Sequence, residues 1–345
     1  MTGAPPRDPI ADLKRIAFLL EAALEPAFRI NAFRRAAATL ADIGIEEATR
    51  RAATGTLREL AGIGEVTERT IVESLGGEEP IYLRRLEATA GQPMPEGAAA
   101  IRKEIRGDCH VHSDWSDGGS PIREMAETAM ELGHAYIVLT DHSPRLTVAN
   151  GLSPDRLRKQ LDEVTALNEE LAPFRILTGI EVDINEDGSL DQEPELLARL
   201  DVVVGSVHSV LRMPGPQMTR RMVTALANPY LDILGHCTGR MKTKRRNRPE
   251  SLFDAEIVFA AAARFGKAIE VNSRPERRDP PKRLLRLAVE AGCPIAIDTD
   301  AHAPGQLYWL GGGCERAFLS GVPIPSIVNT RDADGLLEWA RSHEA

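Results

Sequence analysis

The sequence predicts an α/β protein, a closed βα barrel preceded by a small all-helical domain. Three observations predict it. From Glu104 onward, seven short β-rich apolar runs alternate with amphipathic helical stretches, the grammar of parallel strands with helical crossovers. Before residue 86, apolar residues recur at helical spacing without strand-like alternation. The length, 345 residues, accommodates one large and one small domain at roughly 150 residues each. Seven units in roughly 200 residues suit closure into a barrel better than an open sheet.

In chain order, Ile10, Leu13, Ile16, Ala17 and Leu20 mark a first helix, and Phe33, Ala36, Ala37 and Leu40 a second. A third and a fourth flank Gly62-Ile63-Gly64, and residues 1–86 form the helical domain. Residues 87–103 (EATAGQPMPEGAAAIRK) are rich in Ala, Gly and Pro, lack an apolar face and read as a linker. The barrel domain then takes residues 104–345. Its β-rich runs are Ile105–His110, Tyr136–Leu139, Arg175–Ile180, Val202–Val207, Leu231–Leu234, Ala268–Val271 and Pro294–Ile297. Helical candidates between them are Pro121–Leu132, Pro154–Leu171, Thr219–Leu226, Leu252–Phe265 and Lys282–Ala291.

Composition narrows the functions. Apolar residues make up 43% and charged residues 27%, which is ordinary for a globular domain. No apolar run approaches the ~20 residues that span a bilayer, so no membrane partner is expected. Met1–Asp12 has no apolar core of a signal peptide. Cys109, Cys237, Cys293 and Cys314 lie far apart and do not form a disulfide framework. A cytoplasmic location follows, with nucleoid association if DNA is the partner. The net charge of −9 disfavours a wholly electrostatic DNA binder but not a local basic patch.

Chemistry gathers at the ends of the runs. They close with Asp108-Cys109-His110-Val111-His112 and then Ser116-Asp117, with Asp141-His142, with Glu181-Val182-Asp183, with Ser206-Val207-His208, with Gly235-His236, with Glu270-Val271-Asn272 and with Asp298-Thr299-Asp300-Ala301-His302. In a parallel barrel all strand C-termini open on one face, so these ends converge. Six imidazoles plus Asp117, Glu181 and Asp300 exceed the roughly four ligands of a single zinc-type site. They suit two or three divalent ions, with mixed nitrogen and oxygen donors allowing zinc, manganese or iron. Such ions activate water and clamp phosphoester oxygens. Asp141, Asp183 and Asp298 read as partners that orient the histidines or as solvated rim carboxylates, Asn272 as such a partner, and Glu270 equally as a buried ion-pair partner. His134 and His343 receive no role.

The strings GDCHVHSDWSDG (107–118), LTDHS (139–143), GIEVDI (179–184), VGSVHS (204–209), LGHCTGR (234–240), IEVNSRPERRD (269–279) and DTDAH (298–302) resemble the polymerase and histidinol phosphatase (PHP) family. The resemblance implies a distorted seven-stranded βα barrel holding three divalent metal ions, and hydrolysis of phosphomonoesters or phosphodiesters. It implies one ion on His110, His112, Glu181 and Asp300, a second on Glu181, His208 and His236, and a third on Asp117, His142 and His302. Glu181, Asp300 and His208 would be the catalytic residues. Cys109 and Cys237 depart from the family pattern and read as small packing residues. AFRINAFRRAAATLADI (27–43) and LAGIGEVTERTIVESL (60–75) resemble the N-terminal helix-hairpin-helix domain of bacterial X-family DNA polymerases. That resemblance implies phosphate contacts at Gly62 and Gly64. The lyase lysine of those enzymes is replaced by Thr70, and the polymerase palm has no room between the two domains. Among residues 1–86 acidic residues outnumber basic ones, which weakens an electrostatic grip.

The clearest basic run, Arg240–Arg248, follows the His236 run directly. It would overhang the pocket, with Arg240, Lys242, Arg245 and Arg246, and Arg277 from the next loop, holding phosphate or a DNA backbone. Trp115, Tyr308 and Trp309 fall on rim loops. The expected function is a multinuclear-metal phosphoesterase acting on gapped or nicked DNA ends in repair, as a 3′–5′ exonuclease, 3′-phosphatase or abasic-site nuclease. The alternative is a histidinol-phosphatase-type enzyme acting on a small phosphomonoester.

Overall fold

The computed structural model describes residues 7–89, 94–243 and 247–343. The chain divides into two compact units, Met1–Pro93 and Met94–Ala345.

The first unit is helical throughout its described residues: α1 (Pro9–Ala22), α2 (Ala27–Ile43), α3 (Ile45–Thr54), α4 (Glu65–Leu75) and α5 (Ile81–Thr89). Asp8 caps α1 by accepting the Ile10 N–H, and Pro9 occupies its first turn, where a missing N–H costs nothing. Leu13, Ile16 and Leu20 of α1 join Phe33 and Leu40 of α2 and Ile71 of α4 in one core. The helical periodicity seen in the sequence is therefore the packing face.

The second unit begins with a helix where a linker was expected. Helix α6 (Glu96–Glu104) buries Ala98 and Ile101, and a Cβ at Gly97 would fall 2.1 Å from the Phe318 ring. This glycine serves close packing rather than flexibility. The remaining elements in order are β1 (Gly107–Val111), α7 (Ile122–Glu131), β2 (Tyr136–Leu139), α8 (Pro154–Leu171), β3 (Arg175–Asp183), α9 (Pro194–Leu197), β4 (Val202–Ser206), α10 (Gly215–Leu226), β5 (Ile233–Leu234), β6 (Met241–Lys242), β7 (Asn247–Arg248), α11 (Ala255–Arg264), β8 (Ala268–Asn272), α12 (Lys282–Glu290), β9 (Ile295–Asp298), α13 (Leu310–Leu319) and α14 (Ala333–Arg341).

Seven strands form one parallel sheet in the order β1-β2-β3-β4-β5-β8-β9. Its ends meet through a parallel bridge between Val111 and Ala301, reinforced by the His112 N–H donating to the Ala301 carbonyl at 2.8 Å. The result is a nearly closed barrel. All seven strands send a side chain into one cluster that includes Cys109, Val138, Leu177, Val204, Ile233, Ala268 and Ala296, joined by Leu336 of α14. The lumen is thus a packed core, as in other βα barrels, and Cys109 is one of its packing residues. The short antiparallel pair β6–β7 stands apart from the sheet. It is formed by the run that read as a basic loop.

Candidate metal centre

The first pair of candidate donors owes its aim to an irregular strand. The β1–β2 register shifts between Asp108 and Val111, and such a bulge re-aims side chains. Cys109 points into the lumen core, whereas His110 and His112 both face Glu181, with Nε2 to Oε2 distances of 3.4 and 3.6 Å. The other rings arrive from successive strand ends. His142 Nδ1 lies 2.9 Å from Glu181 Oε2. His208 Nε2 and His236 Nε2 lie 3.2 and 2.9 Å from Glu181 Oε1. His302 Nε2 and His142 Nε2 approach Asp117 Oδ1 at 3.4 and 3.5 Å. Asp300 Oδ1 sits 3.5 Å from His112 Nε2, on a backbone held at φ +54°, a strained conformation of the kind that concentrates at functional sites. All nine residues singled out in the sequence as metal-type donors therefore fall in one connected cluster, with five imidazoles around Glu181 and His142 and His302 beside Asp117.

Three groups of these side chains could each hold a metal ion: His112, Asp117, His142 and His302; His110, His112 and Glu181; and His142, Glu181 and His208. Burial tests that fit. Buried polar atoms are nearly always hydrogen-bonded, yet His110 Nε2, His112 Nδ1 and Nε2, His208 Nε2 and Glu181 Oε2 are buried without a hydrogen-bond partner. Donor atoms within each of the three groups lie within 4.8 Å of one another. Electrostatics agrees. Burial, and then the neighbouring His302 and His142, push His112 down to about 3, so this ring stays neutral and a competent ligand. For Glu181 burial works against ionisation, but His208, His110 and His142 outweigh it and hold the carboxyl well below its usual range.

A second layer holds the donors. Glu270 accepts from His110 Nδ1 at 2.5 Å and from the His236 N–H, which leaves His110 Nε2 directed at Glu181. Asn272 donates to Asp300 Oδ2 at 3.1 Å. Asp183 accepts the His208 N–H at 3.1 Å. These three fulfil the orienting role expected of them. Asp141 and Asp298 do not. Asp141 accepts from Ser113, Ser116 and Gln160 and so fixes the loop after β1. Asp298 accepts the Cys109 N–H and so locks β9 to β1.

The phosphate-binding residues expected from sequence are more dispersed. Arg277 lies deepest, with Nε 2.9 Å from Asp300 Oδ2 and a side chain 11% exposed. Its Nη1 is buried without a partner. Arg240 is a strut instead of a phosphate ligand: its guanidinium donates to the carbonyls of Arg277, at 2.9 Å, and Arg278. Lys242 is exposed. Arg245 and Arg246 lie outside the described residues. Gly62 takes the left-handed φ of +88° that its turn requires, but the Gly64 N–H, expected to face phosphate, donates to Thr67 Oγ1 at 2.9 Å, and Glu65 and Glu68 occupy the first turn of α4. Of the rim aromatics, Tyr308 is exposed, Trp309 is buried and Trp115 donates to Glu163. Sequence reasoning missed Arg221. It is fully buried and clamps the Ile184 and Ser209 carbonyls, tying the β3 exit to the loop that carries His208.

The PHP domain family model matches residues 108–274, and a "probable phosphatase" of Thermoanaerobacter sp. is 32% identical over 234 residues, 65% of this chain and 89% of that protein. The chain belongs to the PHP family. It is accordingly a metal-dependent hydrolase of phosphoesters. The Bacillus subtilis protein named DNA polymerase/3′-5′ exonuclease PolX is 40% identical over 228 residues, 66% of this chain. The chain spans only 40% of the length of that relative. Among solved structures, the histidinol phosphate phosphatase of Lactococcus lactis, complexed with zinc, L-histidinol and phosphate, aligns with 63% of this chain and 93% of its own at 19% identity, with a TM-score of 0.45. Among the described residues no helix is long and apolar enough to cross a membrane, and all four cysteines are buried and unpaired.

Proposed function

We propose that this PHP enzyme hydrolyses phosphoesters at DNA ends, as a 3′–5′ exonuclease, 3′-phosphatase or abasic-site nuclease, from a cytoplasmic or nucleoid-associated location. The observation that carries the hydrolytic reading is the set of buried, unpartnered donors on His110, His112, His208 and Glu181. Three divalent ions, zinc, manganese or iron, would be held by His110, His112, Glu181 and Asp300, by Glu181, His208 and His236, and by Asp117, His142 and His302. Bound there, they supply water of lowered pKa and neutralise charge on the phosphoryl group. The chain's own residues do the rest. Glu270 fixes the tautomer of His110, and Asp183 aims His208. Arg277, with a buried unpartnered Nη1 beside Asp300, provides a charge-assisted donor for a phosphoryl oxygen. Glu181, Asp300 and His208 are the residues assigned to catalysis, as side chains that would hold the ions.

Two observations favour DNA as the partner. The barrel is preceded by a helical unit whose α3 and α4 flank a Gly62-Ile63-Gly64 turn, and the relative of 40% identity is named as a polymerase and exonuclease. The second reading, a small-molecule phosphatase of the histidinol phosphatase type, is favoured by the phosphatase relatives that the barrel unit nearly spans. A panel of labelled duplexes with gapped, nicked, 3′-phosphate and abasic ends, run beside histidinol phosphate with each candidate metal, separates them. The DNA reading expects kcat/KM on at least one DNA end to exceed that on histidinol phosphate. The opposite ranking overturns it.

A further inference from the structure

Beside the metal-type cluster, β6, β7 and the loop after β8 wall a groove of about 640 Å³. Among the described residues six cations line it, Arg240, Lys242, Arg248, Arg277, Arg278 and Arg283, against two carboxylates, Glu250 and Glu276. On a chain of net charge −9, such a local excess focuses a positive field. The carboxylates are already engaged: Glu250 pairs with Arg283 and Arg240, and Glu276 with Arg274. Lys242 and Arg278 are both exposed.

The loop that bears Arg278 is built to present it. Arg278 sits at φ +47°, a left-handed conformation that a non-glycine residue adopts only where its surroundings impose it. The Arg278 N–H donates to the Arg274 carbonyl at 2.9 Å, and Arg240 donates to the carbonyls of both Arg277 and Arg278. This pinned turn splits two consecutive arginines. Arg277 reaches Asp300 at 2.9 Å, while Arg278 stays exposed. Arg277 thus belongs both to the groove wall and, through Asp300, to the strand-end cluster.

We propose that this groove holds the phosphodiester backbone of one DNA strand whose terminal phosphoester lies at the histidine cluster, with Lys242 and Arg278 as its phosphate contacts. The proposal rests on the DNA-end reading above and specifies where the strand runs. A volume of 640 Å³ falls in the range of sites that bury whole ligands, so the groove has room for more than one phosphate. Among the described residues no aromatic side chain lines it, so grip comes from phosphates and is indifferent to base sequence.

The test is binding of labelled, phosphorothioate-linked dT15 by the full metal-loaded chain, read by fluorescence anisotropy across a salt series. Lys242→Ala and Arg278→Ala are each expected to flatten the slope of log Kd against log salt by about 0.7, the share of one phosphate contact on a single strand. Lys242→Glu should weaken binding further. Arg123→Ala, which removes an exposed arginine of α7 paired with Glu170, controls for overall charge and should keep the wild-type slope. Melting curves establish that each variant folds. Wild-type slopes in all the groove variants, or no binding by the wild type, overturn the groove. Groove-dependent binding without hydrolysis of any DNA end leaves the groove standing and overturns the DNA-end reading instead.

Discussion

The two units treat buried polar groups in opposite ways. In the helical unit each one is satisfied internally: Asp12 accepts from Arg7 and Ser74, Glu21 pairs with Arg34, and Thr67 and Thr70 bond backbone carbonyls. In the barrel unit many are satisfied too, but a set of them is left open. Among the described residues, every buried side-chain polar atom without a hydrogen-bond partner lies at His110 or beyond, and the largest group of those atoms sits in the strand-end cluster. Open buried donors cost folding free energy unless something binds them. One unit is therefore optimised for its own stability. The other holds a stability deficit that cations are able to relieve.

Breaking the cluster gives the largest effect. His110→Ala or Asp300→Ala removes a donor to the central Glu181 space, and phosphoester hydrolysis should fall by at least about 100-fold, beyond the loss typical of residues behind the ligands. Steady-state kinetics checks this, with calorimetry showing that the barrel still folds. Undiminished turnover in both would remove the role given to the cluster.

Chelation sharpens the contrast between units. A site filled at about 100 times its Kd adds about 2.7 kcal/mol to stability. Stripping metal should lower the calorimetric transition of the barrel unit and leave that of the helical unit in place. A common shift of both transitions would show that the open donors are not specific to the barrel. Glu270→Gln comes next, with a 10- to 100-fold loss of metal affinity or activity expected, measured by titration of the stripped protein. The smallest effect is confined to the other unit. Asp12→Ala strands the Ser74 hydroxyl and should cost the helical unit about 1–3 kcal/mol, read in urea, with hydrolysis of a small phosphomonoester unchanged.

How much of this was legible in the sequence depended on whether a residue's role is set locally. The convergence of the nine donor side chains was readable because each follows an apolar run, and a parallel barrel gathers all run ends on one face. Glu270 stayed ambiguous because its partner, His110 Nδ1, comes from a strand 160 residues away in sequence. Helix α6 hid in a stretch whose apolar face is only Ala98 and Ile101, too thin for periodicity to reveal. Arg240 and Arg277 were expected on the same rim, yet one became a backbone strut and the other a buried partner of Asp300. That division follows from the left-handed turn at Arg278, which no spacing rule anticipates. The Gly62-Ile63-Gly64 turn was correctly placed between helices, but Thr67 takes the Gly64 N–H, a short-range competition that a motif does not show.

The most direct test follows phosphoester hydrolysis by the full chain through chelation and metal restoration. Exhaustive chelation should abolish turnover, and adding back manganese or zinc should restore it in the wild type but not in His112→Ala. Full turnover in the stripped protein would contradict the account.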